Sequence, residues 1–270
     1  GHPVADKNYF IDITDLPDLT KVAKQEGIIA IIAAYTDVGV CPAAHVSQEM
    51  GLIGCNYHAA ETLTSKSKFR AFYKKEIEPE FTFETFTQLD FEDWLQQQPN
   101  SKWIVKPVDS SGSKGIEIIT KNDHSAIKRA FEYSKRKKVI VEQFYEGEQG
   151  TLEGFMRAGK LFFHIITSRL TAPEPNVATQ GHVYPSVFSE EQQKEIIDRV
   201  LLVCAKLDLC EGPLDVDFVY NESGVHLIEM SPRLGGNNLS NFLETVTRVN
   251  LRKMTVDYYL NAPPQDYQLT

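Results

Sequence analysis

Residues 214–231, LDVDFVYNESGVHLIEMS, constrain the fold more than any other stretch of the chain. Apolar and polar side chains alternate up to Phe218, and turn-forming residues after Tyr220 separate this run from a second apolar one. That is the pattern of a β-hairpin with one face on a core. A three-residue loop, Glu222-Ser223-Gly224, with glycine in the left-handed position, is a common hairpin form. Its register sets Asp217 opposite Glu229, Asp215 opposite Ser231 and Val219 opposite Leu227. The other face then carries Val216, Phe218, Tyr220, Ile228 and Met230. A four-residue loop would slip the register by one and part Asp217 from Glu229.

In the three-residue register, one face gathers two Asp, a Glu and a Ser at the open end. Opposed β-carbons stand about 4.5–5.5 Å apart, and two carboxylates that close repel unless a proton or cation lies between them. Oxygen ligands of this kind suit magnesium or manganese. The competing reading is a solvated acidic face. Arg233 follows two residues after Ser231, placed to clamp an anion or to form a surface ion pair. Gly235 and Gly236 allow a close backbone approach to a ligand, or simply make a turn.

The rest of the chain supplies layers for this hairpin. GIIAIIAAY (27–35) reads as a strand buried on both faces, and CPAAHVSQEMG (41–51) as a short helix ending at Gly51, so the first part suggests a small α/β unit. It starts as though a preceding strand and helix would complete it. Thr62–Lys75 reads as a helix capped by Thr62 or Thr64. WIVKPV (103–108), IEIIT (116–120) and VIVEQFY (139–145) read as strands, with a basic helix over 123–137. Residues 151–171 form a hairpin turned at AGK, and 171–187, with three Pro, read as loop. Residues 190–208 give a helix with Ile196, Ile197, Val200, Leu201, Val203, Cys204 and Leu207 on one stripe.

The net charge of −9 argues against a nucleic-acid partner, whose binding rests on basic patches. No apolar run has the length of a membrane span, so a membrane partner is not expected. The four Cys show no C-x-x-C pair and read as free thiols of a reducing compartment, which points to the cytoplasm.

On the other side of the hairpin's acids in composition stands KPVDSSGSKG (106–115). A lysine at a strand end precedes a loop of small residues suited to folding over phosphates, although it is not the G-x-x-x-x-G-K-[ST] loop that opens a helix. A flexible hairpin loop is the plain alternative. VEQFYEGEQ (141–149) leads a strand into a linker whose backbone can meet a purine edge.

Taken in order, TSKSKFR (64–70), IVKP (104–107), SSGSKG (110–115), VEQF (141–144), DVDF (215–218) and LIEMSPR (227–233) resemble the ATP-grasp superfamily, nearest to its carboxylate–amine ligases and its carbamoyl-phosphate-synthase-like branch. The resemblance implies an α+β ATP-grasp fold of two subdomains clasping ATP. The catalytic domain would span residues 62–270, with a lid at about 100–145, preceded by a partial Rossmann-like α/β domain over 1–61. It also implies roles. Lys66 and Lys106 bind phosphate, and Ser110, Ser111, Gly112, Ser113, Lys114 and Gly115 form the mobile loop, with Lys114 at its tip. Glu142 and Phe144 meet adenine, with Gln143 and Tyr145 nearby, and Glu148 holds the ribose. Asp217 and Glu229 ligate Mg2+ or Mn2+, and Ser231 stands where many members have Asn. Arg233 steadies the transferring phosphoryl group or the acyl phosphate. Gly235, Gly236 and Asn237 line the acceptor side, with His182 a candidate there.

The implied activity is a ligase that phosphorylates a small carboxylate with ATP and couples the acyl phosphate to an amine or ammonia. Homodimers are common in the family, so a homodimer stays open. The rival readings are a kinase-like protein without ligation, and a nucleotide sensor with a degenerate site, for which Ser231 is the best support. His164 in LFFHIIT reads as structural; Arg169, at a strand end, is as ambiguous as His182. Cys204 reads as core, and Asp208, Cys210 and the charged run 132–138 read as surface.

Overall fold

The computed structural model describes residues 4–87, 91–98, 102–110, 112–120, 125–174 and 177–262. Four helices come first: α1 (Leu16–Glu26), α2 (Asp37–Met50), α3 (Tyr57–Leu63) and α4 (Lys66–Glu76). Gly51 takes the left-handed conformation that ends α2. The predicted helix from Thr62 is two helices instead. Asn56 caps α3 by accepting from the amides of His58 (2.8 Å) and Ala59 (3.3 Å). The Thr64 hydroxyl donates back to the Ala60 carbonyl (2.7 Å), and the chain re-enters helix at Lys66.

The expected buried strand at 27–35 does not form. The segment carries no strand ladder, and Ile29 is 75% exposed. A strand buried on both faces needs neighbours on its edges and helices over its faces, and among the described residues no strand lies beside it. Ala33 packs against Val40, Ala44 and Ala60, and the Leu234 amide donates to the Ala34 carbonyl (3.0 Å).

Two antiparallel sheets follow. The smaller has β1 (Phe83–Phe86), β2 (Lys102–Pro107), β3 (Glu117–Thr120) and β4 (Val139–Gln143) in the order β1-β4-β2-β3. Helices α5 (Glu92–Gln97) and α6 (Ser125–Tyr133) cover it, burying Trp103, Val105, Ile119, Ile127 and Val141. The larger sheet has β5 (Glu148–Arg157), β6 (Lys160–Thr171), β7 (Thr179–Val183), β8 (Gly212–Asn221) and β9 (Gly224–Ser231) in the order β7-β6-β5-β8-β9. Strand β7 lies in what reads from sequence as loop; it is held by pairing to β6, not by any periodicity of its own. Helix α7 (Glu190–Lys206), opened by a Ser189/Gln192 capping box, lays Ile196, Val200, Val203 and Cys204 on one face of this sheet, against Leu152, Val216, Phe218, Leu227 and Met230. Helices α8 (Leu239–Thr247) and α9 (Leu251–Tyr259) pack on Phe155, Phe163 and Ile165 of the opposite face.

The β8–β9 hairpin turns over two residues, Glu222 and Ser223, not three. Near the turn Phe218 pairs with Leu227 and Val219 with His226, so the expected Val219–Leu227 pair is absent. Beyond Phe218 the register shifts, with Ile228 the extra residue, and Asp217 then faces Glu229 and Asp215 faces Ser231. Two departures cancel: the shorter loop moves the register by one and the bulge moves it back. The bulge also turns Ile228 off the core face, where Leu227 takes its place.

Candidate active site

Strand alternation places Thr151, Glu153, Asp215, Asp217, Glu229, Ser231 and Arg169 on the sheet face opposite α7. Register then sets them in two rows. One runs Thr167–Thr151–Asp217–Glu229 across β6, β5, β8 and β9, and the next runs Ile165–Glu153–Asp215–Ser231. In the first row the Thr151 hydroxyl donates to Asp217 Oδ1 (2.7 Å) and Arg169 Nη1 pairs with Oδ2 (2.8 Å). Glu229, at the row's end, is exposed. His182 stands beside Arg169 across β6–β7, with Nδ1 3.1 Å from the Thr167 hydroxyl. Burial holds its imidazole below the usual value.

The second row is deeper. Glu153 is 1% exposed, and both its oxygens accept from the Gly235 amide (2.9 and 3.1 Å). Burial, then the neighbouring Asp215 carboxylate, push Glu153 well above the usual carboxylate range. Burial likewise pushes Asp215 up to about 7, against the opposing pull of Arg233. Gly235 fits because a β-carbon there would stand 2.7 Å from Leu239 Cδ2 and 2.8 Å from Glu153 Oε2. Its amide is therefore committed to Glu153 and not turned to a ligand. Gly236 borders open space, and Asn237 has φ 53°.

Arg233 is held from both sides. Nη1 bonds Asp215, Nε donates to Asp37 Oδ1 (2.8 Å) and Nη2 to Asp37 Oδ2 (3.1 Å). Asp37 opens α2, and its Oδ1 also accepts from the Ser231 hydroxyl (2.8 Å). Burial alone would raise the Asp37 carboxyl, but Arg233 and Ser231 outweigh it and hold it below its usual value.

The lysines and the small-residue loop meet on the other flank. Lys66, at the start of α4, donates to the Ser110 carbonyl (2.6 Å). Gly112, Ser113 and Gly115 all have positive φ, and Lys114 is exposed. Ser111 lies outside the described residues. Asp109 ties down the root of the loop, accepting from the Ser134 hydroxyl and the Arg136 amide, each at 2.8 Å. Lys106, in β2, is 6% exposed and bonds Glu142. Burial lowers its ammonium below the usual lysine value, against the pull of Glu142 and the more distant Glu229.

Glu142 itself is 2% exposed, with both oxygens taken by Arg70 and Lys106, so its carboxylate is not presented to a purine as expected. Gln143 is paired to Trp103 at the end of β4. Phe144 lies under Lys102, 5.6 Å from the ring centre. The Tyr145 ring stacks on His226 at 3.7 Å and its hydroxyl bonds Glu78. Glu148 is exposed at the start of β5.

Asp217 and Glu229 offer a cross-strand pair of oxygen donors of the kind that suits a hard divalent cation, Glu229 being exposed and Asp217 already engaged by Thr151 and Arg169. Among the described residues no three Asp, Glu, His or Cys groups are drawn together as a metal cage. Ser231 fits less well, being 2% exposed and engaged with Asp37. Sequence reasoning passed over Arg70, Asp37 and Glu153. Only Glu153 carried a signal, as an acid between Leu152 and the run Gly154, Phe155, Met156. Arg70 and Asp37 meet their partners across 72 and 196 residues, where no local pattern reaches.

Residues 68–237 match the family model of the ATP-grasp domain. Over 94% of its length the chain is 25% identical to alanine–anticapsin ligase of Bacillus subtilis (strain 168), of which it spans 63%. It is 25% identical over 83% of its length to phosphoribosylamine–glycine ligase of Lactococcus lactis, spanning 58% of that protein. The chain thus spans less than two thirds of these relatives. The crystal structure of an L-amino acid ligase from Bacillus licheniformis superposes on 96% of the chain and 64% of its own length, with a TM-score of 0.77 at 16% identity.

Proposed function

This chain belongs to the ATP-grasp family, and on that premise we propose that it binds ATP between its two sheets and uses it to join a small carboxylate to an amine. The carboxylate oxygen attacks the γ-phosphorus and ADP leaves. The amine then attacks the acyl carbon and phosphate leaves. A carboxylate needs this activation because oxide is a poor leaving group, and phosphoryl transfer asks the protein for positioning and charge more than for a nucleophile. The named relatives are ligases whose partners include alanine and glycine, which supports an amino-bearing substrate.

The observation that carries the reading is the Asp217–Glu229 rung, which Arg70 ties to Lys106 by bonding both Glu142 and the Leu227 and Ile228 carbonyls beside Glu229. Lys66 and Lys106 take the phosphates, and the loop from Ser110 to Gly115, with Lys114, closes over them and keeps water from the acyl phosphate. The backbone of residues 142–145 meets the purine edge, beside Phe144 and Tyr145, and Glu148 holds the ribose. Asp217 and Glu229 hold magnesium or manganese, with Ser231 behind them; the ion supplies charge neutralisation at the transferring phosphoryl group. Arg233, oriented by Asp37 and Asp215, faces the acyl phosphate. Gly236, Asn237 and His182 border the acceptor, and Gly235 shapes that wall through Glu153. We read residues 4–61, which carry α1, α2 and most of α3, as a unit packed on this site through Asp37, in a cytoplasmic protein able to form homodimers.

Calorimetry of ATP binding, with and without magnesium, on the wild type and Glu229→Ala tests the reading. Magnesium-dependent binding that weakens about tenfold or more in the variant is expected, as for loss of one charged ligand. Release of ADP that requires both a carboxylate and an amine is expected next. Absence of ATP binding would overturn the proposal. Binding indifferent to magnesium and to Glu229 would favour a nucleotide sensor, a reading to which the Ser231–Asp37 bond lends weight.

A further inference from the structure

Arg70 is 3% exposed at the junction of α4 and both sheets. Its Nε donates to Glu142 Oε2 (2.7 Å) and Nη2 to Oε1 (2.9 Å), while Nη1 and Nη2 donate to the carbonyls of Leu227 (2.7 Å) and Ile228 (2.8 Å). Those carbonyls lie at the register shift of the β8–β9 hairpin. Lys106 bonds the same Oε1 of Glu142. A staple between the sheets needs one cation on that carboxylate; here there are two, all three side chains being 3–7% exposed. Two cations on one carboxylate leave a buried excess of one positive charge, which is costly unless an anion arrives.

We propose that Arg70 is a positioning residue that sets the charge of the phosphate site: by sharing Glu142 with Lys106 it keeps that carboxylate from fully neutralising the lysine, whose remaining charge is available to an anionic phosphate. The inference rests on the ATP reading above. With Arg70 removed, Lys106 and Glu142 close into a neutral pair, and phosphate must compete with a buried carboxylate for the lysine. Arg70 itself need touch no ligand.

The test is calorimetry of MgATP and of adenosine, with melting temperatures, on the wild type, Arg70→Met, Arg70→Lys and Arg70→Met/Glu142→Gln. In Arg70→Met the ATP affinity is expected to fall about tenfold or more, the scale of one charge-assisted contact, while adenosine binding changes about twofold at most. Removing the carboxylate as well, in the double variant, is expected to recover most of the ATP affinity. Arg70→Lys keeps the charge and loses the fork, so it is expected to melt lower yet hold ATP nearly as well as wild type. Unchanged ATP affinity in Arg70→Met would overturn the proposal. So would equal losses for ATP and adenosine with no recovery in the double variant, which would leave Arg70 a staple only. If Arg70→Met does not fold, loss of ATP binding by folded Arg70→Lys overturns it. A wild type that binds no ATP overturns the ligase reading itself, a result these variants cannot mimic.

Discussion

Replacing Asp37 by Ala removes the ion pair that ties the start of α2 to the site. The carboxylate accepts from Ser231 at 2.8 Å and from Arg233 at 2.8 and 3.1 Å. Hydrogen bonds to a charged group contribute about 1.5–3 kcal/mol each when well buried. Asp37 is 29% exposed and Arg233 keeps Asp215, so solvent screening and the surviving partner reduce the loss to about 1.5–2 kcal/mol in all. For 270 residues the unfolding entropy is about 0.57 kcal/mol/K, which makes the melting temperature fall by about 3 °C. The loss has a pH signature. Arg233 and Ser231 hold the folded Asp37 carboxyl below its usual 3.8, so its stabilisation is fully present above that value and is lost as pH falls through the folded pKa. The gap between wild type and variant should therefore be flat from about pH 5 upward and shrink below about pH 4. Arg233, released on one side, is expected to lose its aim, lowering kcat/KM for ADP release about 10- to 100-fold. Urea unfolding across pH and a coupled ADP assay read both. A melting drop with unchanged kinetics would refute the positioning of Arg233 by Asp37, and a stability gap that stays undiminished from pH 5 to pH 3 would refute the ion-pair account.

Glu153→Gln tests the buried row. Burial and Asp215 raise the folded Glu153 pKa, so its contribution is fully present below about pH 4.5 and lost as pH rises; unfolding from pH 5 to 9 should show the variant gaining on wild type, and parallel curves would refute the raised carboxyl. Gly150→Ala puts a β-carbon 2.3 Å from Phe218 Cζ and 2.7 Å from Phe188 Cε2, two buried rings with no room to yield. The cost is expected at about 3 kcal/mol, read as a lower urea midpoint at an unchanged slope; an unaffected midpoint would show that the sheet and α7 separate easily there.

The hairpin pairing of Asp217 with Glu229 was legible because strand alternation and turn chemistry act within twenty residues, and it survived a wrong loop length because the bulge restored the register. The long amphipathic α7 was legible for the same local reason. Apolar character alone misled at 27–35, where nine residues read as a buried strand: burial is a property of neighbours, and among the described residues no strand lies beside the segment. Strand β7 was invisible for the converse reason, since pairing with β6 and not its own composition makes it a strand. The order of the six short motifs was enough to point to a family. Which groups the site residues hold was not: Glu142 is taken by Arg70 and Lys106, Arg233 by Asp37 and Asp215, and the Gly235 amide by Glu153. Those choices are electrostatic, made between charges brought together from distant parts of the chain in a poorly solvated interior. The sequence by itself determined which side chains share a face of a strand or helix, while only the tertiary structure decided which charges those faces meet.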